Sequence, residues 1–325
     1  MNKQYFQTKL ALGSDTTVVL VTDVSDIIVE KLFNDIWLKI YTFERQFSRF
    51  IPDSELSLFN QRAGLEVPIS KEFKDILSVA KQLSIETKGL FNPFILPALH
   101  RAGYKNSFVE KYKLDEQADY SDRKVANAQK ILIKDNFASI PFGTAIDLGG
   151  CGKGYLADLV ANEVLPGWLH GYWLSFGGDI VGGGLDVNNQ PWEISVVNAF
   201  DKTTGDLLTH DSGARFAVAT SGTTIRRGMH EGNRWHHLID PSTLEPSTSD
   251  MRMATVHCDS TLYADILASC SVILGLDKAT EFLRGFDIDA AYFQATDGRV
   301  SKYKQNGKVK FIDEKKKLKE VVVNG

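Results

Sequence analysis

The stretch "DLGGCGKGY" places Gly149, Gly150, Gly152 and Gly154 within six residues. Glycine lets the main chain approach a neighbour or a ligand where any Cβ would clash, so this segment must turn tightly against something. Its flanks set the frame. "TAI" before it is short and apolar, and "YLADLVANEVL" after it is rich in helix formers, so residues 144–165 read as strand, glycine turn and helix. A helix starting near Lys153 aims its free N–H groups and positive dipole end at the turn, which favours an anion, and Lys153 adds a charge. The spacing is not that of a P-loop, which needs Ser or Thr after the lysine, nor of a GxGxxG dinucleotide turn. A phosphate cradle and a plain tight turn both remain open on this stretch alone.

The rest of the chain mixes strands and helices. "TTVVLVTD" (16–23) is β-branched and short, and predicts a buried strand. From Ser25 the period changes: Ile28, Leu32, Ile36, Ile40, Phe43 and Phe47 line one helix face, with Ser25 or Asp26 as cap. A second helix is predicted from Lys71 to Lys88, its face built from Phe73, Ile76, Leu77, Ala80 and Leu83, with Ser70 as cap and Gly89 at the exit. "GLFNPFILPALHRAGY" carries two prolines and reads as a packed loop with a short helix, and residues 105–130 as polar surface. Strands are predicted in 173–184, 192–198, 215–222 and 290–296, and helices over 261–276 and 278–286. No steady βαβ repeat and no low-complexity linker appear. The expectation is an α+β fold, one composite domain over residues 1–325, with a flexible tail over about 313–325.

Charge and cysteines narrow the function. The 37 basic and 41 acidic side chains leave a net charge of −4, which gives nucleic acid or an anionic membrane no global field to bind. The run "DEKKKLKE" (313–320) reads as a solvated face. Cys151, Cys258 and Cys270 are odd in number and irregular in spacing, which fits neither a disulfide framework nor a zinc cluster and suits a reducing cytosol. The first 25 residues lack a basic stretch followed by an apolar one, and no run is long enough to cross a bilayer, so a cytoplasmic protein without a membrane anchor is expected.

Three further stretches carry candidate chemistry. In "SFGGDIVGGG", Gly177 and Gly178 precede Asp179 at a strand end, where a plain bulge or turn is the simpler reading. In "ATSGTTIRRGMHEGNRWHHLIDPST" (219–243), Ser221 offers a hydroxyl, and Arg226 and Arg227 offer guanidinium forks suited to phosphates. His236 and His237 would point to opposite faces of a strand, so they do not share one metal, while one of them can serve as a base. "TSGTT" is not a GxSxG elbow. In "ADILAS", Asp265 and Ser269 stand four apart on a helix and share a face, which gives a carboxylate and a hydroxyl for a hard cation such as magnesium. The simpler alternative is an aspartate complementing a helix N-terminus.

Taken in order, "FSRFIPDSELSLFN", "GLFNP", "IDLGGCGKGYLAD", "GGDI", "ATSGTTIRR…HHLIDPSTLEP" and "ADILAS" resemble the FAD:protein FMN transferase (ApbE-type flavin transferase) family over most of the chain. The resemblance implies an ApbE-like, T-fold-like α+β protein. It implies that FAD is bound with Mg2+, its pyrophosphate cleaved, FMN joined to a threonine or serine of a target flavoprotein, and AMP released. Asp265 and Ser269, with the Gly150 carbonyl, would hold the metal. Phe50, Asn60 and Phe91 would wall the flavin or adenine, and Lys153, Asp179, Ser221 and Arg226 would face the pyrophosphate or ribose. His237 would be the base for the incoming hydroxyl. The family more often has threonine at Ser269, tyrosine at Phe50 and aspartate at Asn92.

The resemblance also implies a target motif like Asp-x-x-Ser/Thr-Gly-Ala-Thr. "LTHDSGARF" (208–216) is superficially similar, but Arg215 stands where the acceptor would be, so a separate target protein is expected. Two alternatives use the same site: an FAD pyrophosphatase giving FMN and AMP, and a flavin-binding protein without catalysis.

Overall fold

A computed structural model describes residues 1–107, 118–201, 204–210, 213–306 and 309–313, the side chains of 204–210 and 312–313 excepted. Parts of three sequence expectations lie outside these residues: the polar stretch over 108–117, the acceptor-like segment at 211–212, and the tail beyond 313.

Eight strands form the main sheet: β1 Lys3–Ala11, β2 Ser14–Thr22, β3 Gly171–Phe176, β4 Asp179–Gly184, β5 Phe216–Gly222, β6 Met251–Cys258, β7 Ala290–Ala295 and β8 Val300–Lys304. They lie in chain order, every neighbour antiparallel, so the sheet is an open meander. Most other elements are inserted between successive strands, and the strand Val309–Asp313, after β8, pairs with Thr204–His210 in a separate small sheet. Between β2 and β3 lie α1 Asp26–Phe47, α2 Glu55–Gln61, α3 Lys71–Glu86, α4 Leu96–Ala102 and α5 Gly152–Glu163. Between β6 and β7 lie α6 Thr261–Leu274 and α7 Leu276–Leu283. The helix α6 packs on β5 and β6, and α5 packs on α6. Among the described residues no helix is long and apolar enough to cross a membrane.

Two expectations shift for physical reasons. On α1 the buried stripe is Val29, Leu32, Phe33, Ile36, Trp37, Ile40, Phe43 and Phe47, while Ile28 is exposed. A strict four-residue step overruns the 3.6-residue turn, so the face drifts and Val29 replaces Ile28 at its start. Ser25 holds the N-cap position without a side-chain cap bond. Residues 145–148, predicted as a strand, join no strand ladder among the described residues. Their backbone is satisfied otherwise: Asp147 N–H donates to the Pro93 carbonyl at 2.8 Å, and Ile146 is held by the side chain of Asn60. The stretch 173–184, read as strand with turns, is the hairpin β3–β4, turning at Gly177 and Gly178 with φ of 69° and 99°. Two consecutive positive φ values make the turn that matches strand twist, and they require these glycines.

Candidate functional site

The glycine turn leads into α5, and Gly154 explains why the turn matters. A Cβ there would lie 2.7 Å from the Thr261 carbonyl oxygen and 2.8 Å from Leu262 Cα, so only glycine lets α5 touch the start of α6. Asp158, one turn further along α5, fastens the same crossing. Its carboxylate accepts from the Thr261 and Leu262 N–H groups, both at 3.0 Å, and from Ser260 Oγ at 2.7 Å. These are free donors at a helix N-terminus, so a side chain of one helix caps the other. Arg215 pairs with Asp158 at 2.5 Å.

The crossing brings Lys153, in the first turn of α5, against two carboxylates. Its ammonium is ion-paired with Asp179, the first residue of β4, and lies 3.6 Å from Asp265 Oδ2 on α6. Asp265 Oδ2 is buried and accepts no hydrogen bond among the described residues. Burial pushes the Asp265 carboxyl up, against the pull of Lys153 and Arg226 and a hydrogen bond from the Gly154 N–H. Burial pushes Lys153 down, opposed by Asp265 and assisted by Arg226. Both groups are thus held in a dry place where charge is costly until it is compensated.

A cleft of about 430 Å³ opens beside them. On one side the ring of Phe91 lies against Gly150, where a Cβ would sit 3.4 Å from Phe91 Cε2. On another, Ser221 at the end of β5 meets Ser269 on α6, Oγ to Oγ 2.7 Å. Arg226 and His237 close a third side, joined by the His237 N–H donating to the Arg226 carbonyl at 3.1 Å. The Arg226 guanidinium has no hydrogen-bond or ion-pair partner among the described residues. Burial, then Arg226, lower the His237 ring to about 3, so it is neutral. His237 Nδ1 is buried without a hydrogen-bond partner among the described residues. His236 ends the strand Asn233–His236 and turns elsewhere, its Nε2 2.9 Å from the Ser247 carbonyl.

The cleft therefore gathers Phe50, Phe91, Gly150, Lys153, Asp179, Ser221, Arg226, His237, Asp265 and Ser269. Asn60 is the correction. It is fully buried away from the cleft, its Nδ2 donating to the Ile146 carbonyl and its Oδ1 accepting from the Ile146 N–H, both at 2.8 Å. Both ends of the amide are used, so Asn60 shapes the approach to the glycine turn rather than a ligand wall. Asn92 likewise caps a short 3-10 turn, accepting from Phe94 N–H at 3.0 Å.

Sequence reasoning missed Arg49 and Tyr104 at the aromatic end. Arg49 is buried, 3.4 Å from Asp147, and its guanidinium lies 4.3 Å from the Phe50 ring and 4.6 Å from the Tyr104 ring. Such a sandwich fixes both rings as cleft walls. The only sequence signal was an arginine set between aromatics in "FSRF".

Among the described residues no three His, Cys, Asp or Glu side chains cluster as a metal set. The donors present still suit a hard cation: a buried carboxylate oxygen without a hydrogen bond, the Ser269 hydroxyl one turn on, and an exposed glycine turn. The residues fit magnesium by chemistry, with one acid and neutral oxygens.

An open antiparallel meander carrying helices, with aromatic walls at one end of a cleft and compensated charges at the other, defines a protein built for an anionic aromatic ligand. The chain belongs to the ApbE family, whose model matches residues 12–293. It is 27% identical over 264 residues to the FAD:protein FMN transferase of Haemophilus influenzae, covering 78% of this chain and 73% of that one. It is 30% identical over 249 residues to the enzyme of the same name from Chlamydia pneumoniae, covering 72% and 73%. The fold is that of the Pseudomonas stutzeri flavinyl transferase ApbE, with TM-score 0.75 and 23% identity over 96% of this chain and 94% of that one.

Proposed function

We propose that this chain is an FAD:protein FMN transferase, using magnesium to move FMN from FAD onto a threonine or serine hydroxyl of a target flavoprotein. The observation that carries the reading is the convergence in one cleft of Asp265, Lys153, the unpartnered Arg226 and the neutral ring of His237 beside an aromatic pocket. Phe50, Tyr104 and Phe91 stack on the ring systems of FAD. Arg226 and Lys153 draw the pyrophosphate, and Asp179 holds Lys153 in place. Ser221 and Ser269 donate to phosphoryl or ribose oxygens. Asp265, Ser269 and the Gly150 carbonyl would hold magnesium, which would neutralise charge on the pyrophosphate. His237 takes the proton of the acceptor hydroxyl as its oxygen bonds to the FMN phosphorus. The bridging P–O bond to AMP breaks, and AMP leaves with that electron pair.

The acceptor belongs to a separate protein. Arg215, at the acceptor position of the motif-like segment, is committed to Asp158. A cytoplasmic enzyme fits the three free, buried cysteines. To test the reading, the protein is mixed with FAD, magnesium and a threonine-bearing acceptor, and both products are followed by mass spectrometry. The expected result is one AMP released per FMN adduct. Intact FAD binding with neither adduct nor AMP would sink the reading. Free FMN and AMP without adduct would make the protein a pyrophosphatase instead.

A further inference from the structure

The aromatic end of the cleft is one stack, and its outermost member lies outside the cleft. Phe50, Arg49 and Tyr104 line the cleft, whereas Trp235 does not. The Arg49 guanidinium sits 4.3 Å from the Phe50 ring and 4.6 Å from the Tyr104 ring. The Trp235 indole then stacks on Tyr104 at 5.5 Å, with the two planes 20° apart. Trp235 is carried by a hairpin, Arg227–His230 with Asn233–His236, that pairs with no other strand among the described residues. Two residues beyond Trp235 the His237 N–H donates to the Arg226 carbonyl at 3.1 Å, so the ribbon runs on into the cleft rim.

Two glycines leave the space that the indole fills. Gly228 stands opposite Trp235 in the register, and a Cβ there would lie 2.8 Å from Trp235 Cε2 and Cζ2. A Cβ on Gly103 would lie 2.9 Å from Trp235 Nε1 and 2.7 Å from His230 Cβ. Gly103 ends α4 with φ of 112°, and Tyr104 follows it directly. The Tyr104 backbone is held on both sides: its N–H donates to the Leu99 carbonyl at 2.9 Å, and its carbonyl accepts from Arg49 Nη1 and Nη2, both at 3.3 Å. With the backbone fixed, what remains is the rotamer of the ring, and the stack between Arg49 and Trp235 selects it.

We propose that Trp235 is a positioning residue for the FMN donor: stacked behind Tyr104, it holds that ring as a wall of the aromatic pocket before FAD arrives. Pre-ordering the wall removes a cost that binding would otherwise carry, so the effect falls on affinity and leaves the chemical step alone. This rests on the reading of the pocket as the seat of the rings of FAD.

The test is a double-mutant cycle on FAD affinity in the full-length protein, read by quenching of flavin fluorescence. Trp235→Leu keeps apolar bulk and loses the stack; Trp235→Met does the same and serves if the leucine variant does not fold. Either should weaken FAD binding about three- to tenfold, the size of one aromatic pair. Tyr104→Leu should weaken it at least as much, and the double variant no further than Tyr104→Leu alone, because Trp235 acts through that ring. Trp235→Phe keeps a stacking ring and should bind FAD within about a factor of two of wild type. In turnover the loss should appear in KM for FAD with kcat nearly unchanged, the pattern of lost uniform binding. Losses that multiply in the double variant, or a loss confined to kcat at unchanged FAD affinity, overturn the positioning role. A wild-type protein that shows the cycle but transfers no FMN overturns the transferase reading and leaves this one standing.

Discussion

Two cavities among the described residues differ in kind, and the larger of the two is not the better candidate site. The larger, about 1160 Å³, lies between α3, α6 and α7. It is lined by six carboxylates, Glu86, Asp259, Asp277, Glu281, Asp287 and Asp289, against Lys88, Lys278 and Arg284. Several of its polar groups have partners. Glu86 accepts from Tyr263 Oη at 2.9 Å, Glu281 pairs with Arg284 at 2.9 Å, and Asp289 with His257 at 3.0 Å. The smaller cleft shares Leu90 with it but is built differently. There Asp265 Oδ2 and His237 Nδ1 are buried without hydrogen bonds, and Arg226 has no partner among the described residues. Volume records where atoms are absent. Buried polar atoms left unsatisfied record a cost that a structural site would have removed, and a net acidic lining repels the pyrophosphate that the other cleft is arranged to hold.

Neutralising one acid in each cavity is the sharpest way to break this contrast. Asp265→Asn keeps the shape and removes the charge; transfer should fall on the order of 10³-fold, the scale of losing a principal electrostatic element. Because burial already penalises that carboxylate, the variant should melt at the same temperature as the wild type or higher. Glu281→Gln in the larger cavity should leave transfer unchanged. Comparable losses from both substitutions would mean that the cavities are not separable in function.

Glycine gives the next contrast. Gly154→Ala drives a methyl into the backbone of α6, and overpacking of this kind costs about 1–3 kcal/mol. Activity should fall further than stability, since Lys153 and Asp265 are both positioned by that crossing. Gly285→Ala, on the rim of the larger cavity, meets only the Phe282 carbonyl at 3.4 Å and should be nearly silent. Thermal melts and transfer rates on the two variants decide it.

The same contrast shows what the sequence made legible. Lys153, Arg226 and Asp265 stand out in local patterns with a chemical reason, a glycine turn, paired arginines and a helix face, whereas Asp179 and the choice of His237 over His236 come only from the family resemblance. The helices at 26–47 and 71–86 followed from apolar periodicity. What resisted reading is long-range. Asn60 clamps a segment 86 residues away, and Asp158 caps a helix more than 100 residues further on. The edge strand β1 has its Phe6 and Leu10 exposed, so alternation gave little signal there. Nothing local to Arg49 marks it as buried; Asp147, about 100 residues on, and the rings of Phe50 and Tyr104 close around it.

The smallest expected effect concerns protons. Burial and Arg226 hold His237 near 3, whereas the unfolded chain would bind that proton near about 6.5. Between those values the unfolded state carries the extra proton. The contribution of His237 to stability is therefore complete above about 6.5 and declines as pH falls toward 3. In the free enzyme the ring stays neutral and ready to accept a proton throughout the neutral range. In the larger cavity burial acts on an acid instead, holding the Tyr263 phenol neutral up to about 12. The His237 ring resonance should accordingly stay fixed from pH 8 to pH 5, and the acid limb of the transfer profile should show no inflection near 6.5 from this residue. A resonance that shifts with a midpoint near 6.5, assigned by its loss in His237→Gln, would show that the ring is solvated. The dry character that separates the cleft from ordinary surface would then be wrong at its most reactive residue.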